Sequence, residues 1–358
     1  MGTKKKRILF LGETYRADAI TWIKGLQEFG DFEILTWELK SPSSGFLNRL
    51  SRILEYSKAV FNIRKIVASN QPDMVIAERT TSYGFLAALS GAKPFAIAQQ
   101  GITDLWPENS LLFPVKKRIQ YYAFKKATLI HAWGIAMTFS MKKSNVNMNK
   151  VMVLPKGVDV SLFTPNAIIR EENIIHAIVT RSLLPEYRHN TILKAFGILH
   201  DKGINFKLTI VGDGPEMPLL NELAKKLNIV RQVNFTGSIP NDKLPKLLQQ
   251  ANFYISMPIT EGVSSSLFEA MATGSYPIVS DVLGNQSWIT HRENGQLVIV
   301  DDKEMLAHEI LWAFENKEYR DQVILKNRKF VEDKANYATN MKIIAARYHE
   351  LIINHKAN

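Results

Sequence analysis

Cysteine is absent from this sequence of 358 residues. Disulfide bonds, thiol catalysis and cysteine-ligated metals are therefore excluded, and the composition suits a reducing compartment. Long hydrophobic runs are also lacking, since none approaches the roughly 18 consecutive apolar residues that a membrane-spanning helix needs. The apolar run after the basic start ends at Leu11, too early for the core of a signal peptide. We therefore expect a cytoplasmic chain without spanning helices.

A glycine period, low-complexity tracts and internal repeats are missing too, which excludes fibrous, disordered and solenoid classes. Hydrophobic residues make up 46% of the chain, enough to fill a buried core. The length corresponds to about two domains of ordinary size.

Negative charge is scarce in the first half of the chain. Residues 1–165 contain 23 Lys and Arg against 12 Asp and Glu, whereas residues 166–358 contain 22 of each kind. The formal net charge of +11 thus lies entirely in the first half. Such an excess either faces an anionic partner, such as phospholipid, polyphosphate or nucleic acid, or forms an ordinary solvated surface.

Two helical patterns carry much of this basic charge beside apolar and aromatic residues. One extends from Phe46 to Phe61, with Lys65 just beyond it, and the other, from Phe113 to Lys126, contains five positive charges. Basic helices rich in aromatic residues can lie in an anionic bilayer surface. The same pattern also occurs in core-facing helices with a solvated basic side. We favour contact with an anionic membrane surface on its cytoplasmic face.

Short apolar runs alternate with longer amphipathic stretches from one end of the chain to the other. The runs are typical of strands buried on both faces, and the amphipathic stretches of helices. Repeated strand–helix units predict parallel sheets, so the fold class is α/β with two Rossmann-like, doubly wound domains that face a central cleft. The predicted strands are Ile8–Leu11, Phe32–Thr36, Met74–Ala77, Phe95–Ala98, Leu129–Ala132, Val151–Leu154, Ile174–Val179, Lys207–Val211, Val233–Phe235, Phe253–Ser256, Tyr276–Ser280 and Gly295–Val300.

The predicted domain boundary lies in the segment PKGVDVSLFTPNAIIREEN, where prolines, a glycine and polar residues interrupt regular structure. Residues 1–165 would form an N-terminal domain and residues 166–337 a C-terminal domain. A final helix, over about residues 338–358, either packs within the second domain or crosses back onto the first. Its predicted apolar face consists of Ile343, Ile344, Tyr348, Leu351 and Ile352.

The segment TEGVSSSLFEAMATG follows a predicted strand and contains two glutamates, Glu261 and Glu269. Glycine and hydroxyl residues precede its helical part, whose start would offer unpaired N–H groups and a positive dipole end to a phosphate. A rise of about 1.5 Å per residue puts the two carboxylates up to roughly 12 Å apart, similar to the separation of the two sugar rings of a nucleotide-sugar. Carboxylates accept hydrogen bonds from sugar hydroxyls. Taken alone, the pair equally suits one dipole-favoured and one solvated glutamate.

Three further strand ends in the second half carry residues suited to a ligand. The segment TRSLLPEYR places Arg181 and Arg188 where guanidinium groups can hold a diphosphate through bidentate bonds. The segment VGDGP contains Gly212 in a tight turn that lets the backbone approach a ligand. The segment FTGSIP contains Gly237 and Ile239 at another strand end. The dinucleotide fingerprint GxGxxG is absent.

These three motifs are followed along the chain by EGVSSSLFEAMATGSYPIVSDVLGN. The four motifs in this order resemble those of the family-four retaining glycosyltransferases (glycosyl transferases group one). That family has the GT-B fold. The resemblance is densest over residues 151–298. It implies transfer of a sugar from a nucleotide-diphosphate donor with retention of anomeric configuration, without a metal or other cofactor. A UDP-sugar is favoured over a GDP-sugar, and the acceptor would be lipid-linked or a precursor of a cell-surface polysaccharide or lipopolysaccharide.

The resemblance also implies roles for individual residues. Glu261 would bind the donor sugar, Glu269 the ribose hydroxyls, and Arg181 with Arg188 the diphosphate. The two arginines and the amides at the start of the helix would stabilise the leaving diphosphate, whose oxygen would take the proton of the acceptor on the front face. The other predicted donor-binding residues are Gly262, Ser264, Ser265, Ser266, Gly212, Gly237, Ile239 and Gly12.

The first domain departs from the family pattern at two strand ends. Gly12 is followed by bulky residues, where the family usually has a paired-glycine loop. Gln100 stands where the family often has histidine in a His-Gly-x-Asp motif, and Asp104 matches the last position. Gln100 and Asp104 are candidate acceptor-side residues, although Asp104 equally suits a helix N-cap.

Three alternatives remain open at this point. A sugar-nucleotide epimerase would share the fold and the ligand but catalyse a different reaction. A basic protein that binds nucleic acid or another anion would explain the charge, although no recognised nucleic-acid module is visible and we expect no nucleic-acid partner. A catalytically inactive sugar-binding relative would lack the glutamates and Arg181, which are present here.

Overall fold

The chain folds as two compact units, each an α/β sandwich. In this computed structural model the first unit consists of Met1–Lys156 with Ala338–Asn358, and the second of Gly157–Tyr337. Over the described residues, each unit has one parallel sheet of six strands with helices packed against it, which confirms the predicted two-domain Rossmann-like class. The structure describes residues 5–40, 46–101, 111–165 and 173–357, with the backbone alone over residues 46–54.

The sheet of the first unit has the strand order β2-β1-β3-β4-β5-β6. Its strands are β1 (Arg7–Leu11), β2 (Glu33–Trp37), β3 (Met74–Glu78), β4 (Phe95–Gln99), β5 (Leu129–Ala132) and β6 (Val151–Val153). Its helices are α1 (Ala17–Gly30), α2 (Phe46–Asn70), α3 (Phe85–Ser90), α4 (Phe113–Lys126), α5 (Thr138–Lys143) and the C-terminal α13 (Tyr337–Ala357).

Strand order reverses in the first unit between β1 and β3. Strand β1 pairs with β2 on one side and with β3 on the other. Ligands of open α/β sheets bind at such a switch point, outside the carboxyl ends of the strands. The residues that follow β1 and β3 therefore occupy the favoured binding position of this unit.

The C-terminal helix α13 packs on the first unit. The buried Tyr348 lies 3.2 Å from Nδ1 of His131 on β5, and His349 Nε2 lies 2.8 Å from the carbonyl oxygen of Gly30. Asn340 Nδ2 donates to the carbonyl of Pro155 at 2.9 Å. Four residues of the predicted apolar face are buried, namely Ile344, Tyr348, Leu351 and Ile352. The prediction that Ile343 belongs to this face is wrong, since its side chain is 49% exposed.

The second unit repeats the architecture with the strand order β12-β11-β10-β7-β8-β9. Its strands are β7 (Ile175–Thr180), β8 (Phe206–Val211), β9 (Val233–Gly237), β10 (Phe253–Ser256), β11 (Tyr276–Ser280) and β12 (Gln296–Val298). Its helices are α6 (His189–Asp201), α7 (Met217–Lys226), α8 (Leu244–Gln250), α9 (Ser265–Thr273), α10 (Leu283–Gln286), α11 (Lys303–Glu315) and α12 (Lys317–Lys334). The switch point of this sheet lies between β7 and β10.

The two units divide at Lys156 and Gly157, earlier than the boundary placed at 165 and 166 from sequence. The amide of Val158 donates to the carbonyl of Ala335 at 2.8 Å, and the amide of Tyr337 donates back to Val158 at 2.9 Å. Phe163 is buried in the core of the second unit. These contacts attach the linker segment to the second unit.

The twelve predicted strands all form within the described residues, with ends that differ by no more than a few positions. Their continuous apolar sequences suit burial on both sheet faces, as in RILFL of β1 and YPIVS of β11. Within the same described part of the chain, no helix combines the length and the apolar character required to cross a bilayer.

Candidate active site

The switch point of the second unit brings two charged residues together. Arg181 directly follows β7, and Glu261 lies in the loop between β10 and α9. These loops adjoin because β7 and β10 are paired neighbours in the sheet. An Arg181 guanidinium nitrogen contacts a carboxylate oxygen of Glu261, and the side chains are only 16% and 12% exposed. Two residues from separate sequence motifs thus form one ion pair.

The ring of Tyr187 also contacts the Arg181 guanidinium. The Cζ atom of Arg181 lies 4.7 Å from the centroid of the Tyr187 ring. A planar guanidinium stacks on an aromatic face and pairs with a carboxylate at the same time, which an ammonium group does less well. Arg181 is therefore held by two contacts.

The start of α9 lies beside this pair and is capped by its own sequence. Ser264 Oγ accepts from the amide of Leu267 at 3.2 Å and lies 3.1 Å from Ser266 Oγ. The hydroxyl of Tyr254 donates to Ser266 Oγ at 2.9 Å, which ties the helix start to β10. First-turn amides have no acceptor within their own helix, so this end suits an anion.

Glu269 lies further along α9, at a half-buried position. Its neighbours Leu267, Phe268 and Ala270 are buried in the core, so the apolar side of α9 anchors the helix while Glu269 lies at its margin. Glu261 and Glu269 therefore belong to one loop–helix unit, as the sequence analysis predicts.

Close backbone approaches hold the loops of this site. A Cβ atom on Gly212, at φ 142°, would collide with the carbonyl of Arg181, and one on Gly214 would collide with the carbonyl of Leu183. A Cβ atom on Gly284 would collide with the carbonyl of Glu261. Glycine is therefore required beside both Arg181 and Glu261.

Arg188 pairs with a different carboxylate. Its Nε lies 3.0 Å from Asp301 Oδ1, and its Nη1 donates to the carbonyl of Pro185 at 2.9 Å. Its backbone has φ 51°, in the left-handed region, immediately before α6 begins. A role for Arg188 as a second diphosphate ligand stays a prediction.

The remaining donor-side candidates lie at ends of the same sheet or in the same loop. Gly237 has φ 68° and its carbonyl accepts from the amide of Gly212 at 3.0 Å. Ile239 packs against the core, the buried Gly262 donates its amide to Glu261 Oε1 at 3.1 Å, and Ser265 begins α9. Their contacts with a ligand stay predictions.

The sequence matches two family models that together span most of both units. Residues 165–330 match the glycosyl transferases group 1 model, and residues 7–133 match the glycosyl transferase 4-like model. The chain belongs to the family-four type of glycosyltransferase. It thus shares with this family the transfer of a sugar.

Among curated proteins, this glycosyltransferase is similar to EpsF of Bacillus subtilis, with 26% identity over 295 residues that cover 77% of this chain and 72% of EpsF. It is 22% identical over 325 residues to the UDP-Gal:alpha-D-GlcNAc-diphosphoundecaprenol alpha-1,3-galactosyltransferase of Escherichia coli, covering 84% and 81% of the two chains. The structure of HepE from Anabaena in complex with UDP and glucose superimposes with a TM-score of 0.76 and 16% identity, over 96% of this chain and 99% of HepE. This last likeness shows the GT-B fold.

In the first unit of this glycosyltransferase, the predicted candidates surround a buried carboxylate. Gln100 Nε2 donates to Glu78 Oε1 at 2.8 Å, and a Cβ atom on the buried Gly12 would collide with Glu78 Oε2. Asp104 lies outside the described residues. A donor-binding role for Gly12 and an acceptor-side role for Gln100 or Asp104 stay predictions.

Sequence reasoning missed several residues that shape these sites. Tyr187 lies inside the segment quoted for its two arginines, and Gly284 inside the segment that continues the glutamate motif. His189 is fully buried beside Tyr187, and burial lowers its pKa to about 4, with the charge of Arg181 acting in the same direction. A neutral His189 adds no repulsion to the Arg181 guanidinium at neutral pH.

Proposed function

We propose that this glycosyltransferase is a retaining enzyme that uses a nucleotide-diphosphate sugar, a UDP-sugar in the first place. Its acceptor would be lipid-linked or a precursor of a cell-surface polysaccharide or lipopolysaccharide. The observation that carries the proposal is the contact of Arg181 with Glu261 beside the capped start of α9, at the switch point of the second unit. The UDP in the HepE complex and the donor and acceptor in the name of the Escherichia coli relative support it.

In this proposal the donor occupies the loop–helix unit of α9. The diphosphate lies between the Arg181 guanidinium and the first-turn amides of α9, which offer a positive charge and a positive dipole end. Glu269 accepts hydrogen bonds from the ribose hydroxyls, and Glu261 from hydroxyls of the donor sugar. The diphosphate thus replaces Glu261 as the partner of Arg181, which frees that carboxylate for the sugar.

The chemistry follows from where charge develops. The bond between the anomeric carbon and the β-phosphate oxygen breaks through an oxocarbenium-like state, and negative charge grows on the diphosphate. Arg181 and the α9 amides stabilise that charge, without a metal ion or other cofactor. The acceptor oxygen attacks from the face that the diphosphate leaves, and its proton passes to a phosphate oxygen. The configuration at the anomeric carbon is retained.

The role of Glu261 is tested by the variant Glu261→Gln. Because the amide cannot accept hydrogen bonds on both of its heteroatoms, we expect sugar transfer from a panel of UDP- and GDP-sugars to fall by about 100-fold or more. Nucleotide release on incubation with each donor is the measurement. The matched control is Glu222→Gln, on an exposed surface pair with Lys225. Wild-type rates in Glu261→Gln would refute the assignment.

We also propose that the first unit contacts an anionic membrane surface from the cytoplasmic side. In its described residues, α4 and the preceding turn expose Leu112, Val115 and Tyr121, while Lys117 and Arg118 line a neighbouring surface depression of about 440 Å³. Exposed apolar side chains among basic ones suit a bilayer interface.

Sedimentation with anionic liposomes at low and high salt tests this contact. The protein should sediment at low salt and be released at high salt, and a Lys117→Gln, Arg118→Gln variant should sediment less. The control variant is Lys225→Gln, Lys226→Gln, which removes the same charge from α7. Absence of binding at low salt would end the membrane proposal.

A further inference from the structure

The switch point of the first unit carries a charged cluster that the donor site does not use. Glu13 follows β1, and Arg79 follows β3, the two strands between which the strand order reverses. The arrangement mirrors the second unit, where an arginine follows the first strand and a glutamate follows its neighbour. Opposite charges thus meet at the favoured ligand position of both sheets.

One carboxylate holds two arginines at this point. Arg16 Nε lies 2.5 Å from Glu13 Oε2, and Arg79 Nη2 lies 2.8 Å from the same oxygen. A turn brings Arg16 back towards Glu13, and the amide of Arg16 donates to the carbonyl of Glu13 at 3.1 Å. Helix α1 begins at the next residue. Arg79 has φ 62° and begins a π-helical turn, a local distortion that is frequent at functional sites.

The carboxylate that holds them is buried and ionised. Glu13 is 5% exposed, and its amide donates to Glu78 Oε2 at 3.0 Å. Burial alone would raise the pKa of the Glu13 carboxyl, but Arg79 and Arg16 outweigh this effect and the pKa is lowered. Glu78 differs, because its deeper burial raises the pKa of its carboxyl. Glu13 is therefore a fixed negative anchor for two positive groups.

Both anchored arginines reach solvent. The Arg16 side chain is 53% exposed and that of Arg79 is 31% exposed, whereas Glu13 is almost entirely covered. Nearby carboxylates are engaged with other groups, since Asp18 pairs with Lys156 at 2.8 Å and Glu38 accepts from the amide of Thr14 at 3.1 Å. Two guanidinium groups therefore face solvent at this switch point, whereas the carboxylate that holds them does not.

We propose that Arg16 and Arg79 form an anion site that binds a phosphate group of the acceptor. The inference rests on the proposed function, because the donor diphosphate already has its partners in the second unit. A lipid-linked acceptor brings a phosphate or diphosphate of its own, which planar guanidinium groups recognise through paired hydrogen bonds. The basic excess of residues 1–165 favours the approach of such a ligand.

Calorimetric titration of the full chain with geranyl diphosphate tests the site, with saturating UDP present to fill the second unit. The double variant Arg16→Gln, Arg79→Gln should bind geranyl diphosphate about tenfold more weakly or worse, with unchanged affinity for UDP. The single variant Arg16→Gln keeps the Arg79–Glu13 pair, so it should fold and show a smaller loss of affinity than the double variant. The control is Arg64→Gln, which removes an exposed arginine from α2.

Two outcomes would overturn the inference, and a third would separate it from the donor proposal. Equal affinity of wild type and both variants for geranyl diphosphate would show that the arginines are an internal ion-pair network only. A loss of UDP affinity in the double variant would assign them to the donor instead. If the wild type binds no UDP or GDP but binds geranyl diphosphate through these arginines, the donor proposal fails while the anion site stands.

Discussion

The contacts of Arg181 explain why an arginine suits the end of β7. Its guanidinium stacks on Tyr187 and pairs with Glu261, while a neutral, buried His189 lies close by. A charged histidine there would repel the guanidinium, and an unpaired carboxylate at 12% exposure would carry a desolvation cost. The groups proposed to bind the donor thus lie together before the donor arrives, and binding exchanges Glu261 for the diphosphate as the partner of Arg181.

Gly284→Ala tests how tightly the backbone of Glu261 is held. The added Cβ would collide with the Glu261 carbonyl, so the loop must shift. A shift of about 1 Å in a catalytic group can cost about 100-fold in rate, and we expect a loss of that order in sugar transfer. Enzymatic rate with the preferred donor is the measurement.

The control for Gly284→Ala is Gly203→Ala, where φ is 75° and the added Cβ meets open space. That change should cost about 1 kcal/mol of stability from backbone strain, with the transfer rate retained. Unaltered transfer by Gly284→Ala would show that the position of this backbone is not critical.

At the scale of elements, α13 is joined to the first unit by a buried polar contact. His131 Nε2 lies 2.8 Å from the carbonyl of Leu154 and must carry the proton, so Nδ1 accepts from the hydroxyl of Tyr348. Both side chains are fully buried, and Trp22 packs edge-on against the imidazole at 5.5 Å. The contact fixes the tautomer of His131 and the rotation of α13 together.

Tyr348→Phe should therefore destabilise the first unit. The imidazole acceptor would lose its partner in a buried position, and we expect a loss of about 1–3 kcal/mol in the free energy of unfolding. Urea denaturation compares it with Tyr121→Phe, a change at a half-exposed ring on α4. Equal stability of Tyr348→Phe and wild type would contradict the contact.

Elements were predictable from sequence where their determinants are local. The strands are continuous apolar runs, and the start of α9 is predicted by a glycine and hydroxyl residues that precede an apolar helical face. What sequence could not show depends on distant partners. Arg188 pairs with Asp301, and the linker residue Val158 bonds to Ala335 and Tyr337. No spacing rule connects such positions.

At the scale of the whole molecule, both sheets place opposite charges at their switch points. The sequence pointed to a charged site only at the switch point of the second unit. Arg181 and Glu261 lie in motifs that resemble those of the family-four glycosyltransferases. Glu13, Arg16 and Arg79 lie in an unremarkable turn and at a strand end, and only the pairing of β1 with β3 brings them together. Topology, which local sequence does not encode, created that site.

Stability should fall as the pH is lowered from about 6.5, partly through two buried histidines. Burial lowers the pKa of His131 and of His189 to about 4, from an ordinary value of 6.5. Below 6.5 the unfolded chain therefore binds protons that the folded chain does not, so each histidine lowers the free energy of unfolding by up to about 1.4 kcal/mol per pH unit. The penalty is absent above that pH.

Urea denaturation of wild type and His131→Gln between pH 7 and 4.5 measures this dependence. The variant should show a shallower decline below pH 6.5, whatever its stability at pH 7. The exposed His355→Gln should decline like the wild type. An identical slope in all three proteins would show that His131 is not held neutral by burial.

A crystal structure of the protein with UDP bound tests the donor site most directly. We predict that the diphosphate contacts the Arg181 guanidinium and the first-turn amides of α9, with the ribose hydroxyls at Glu269 and the Glu261 carboxylate released from Arg181. A diphosphate bound elsewhere, with the Arg181–Glu261 pair intact, would contradict the proposed donor site.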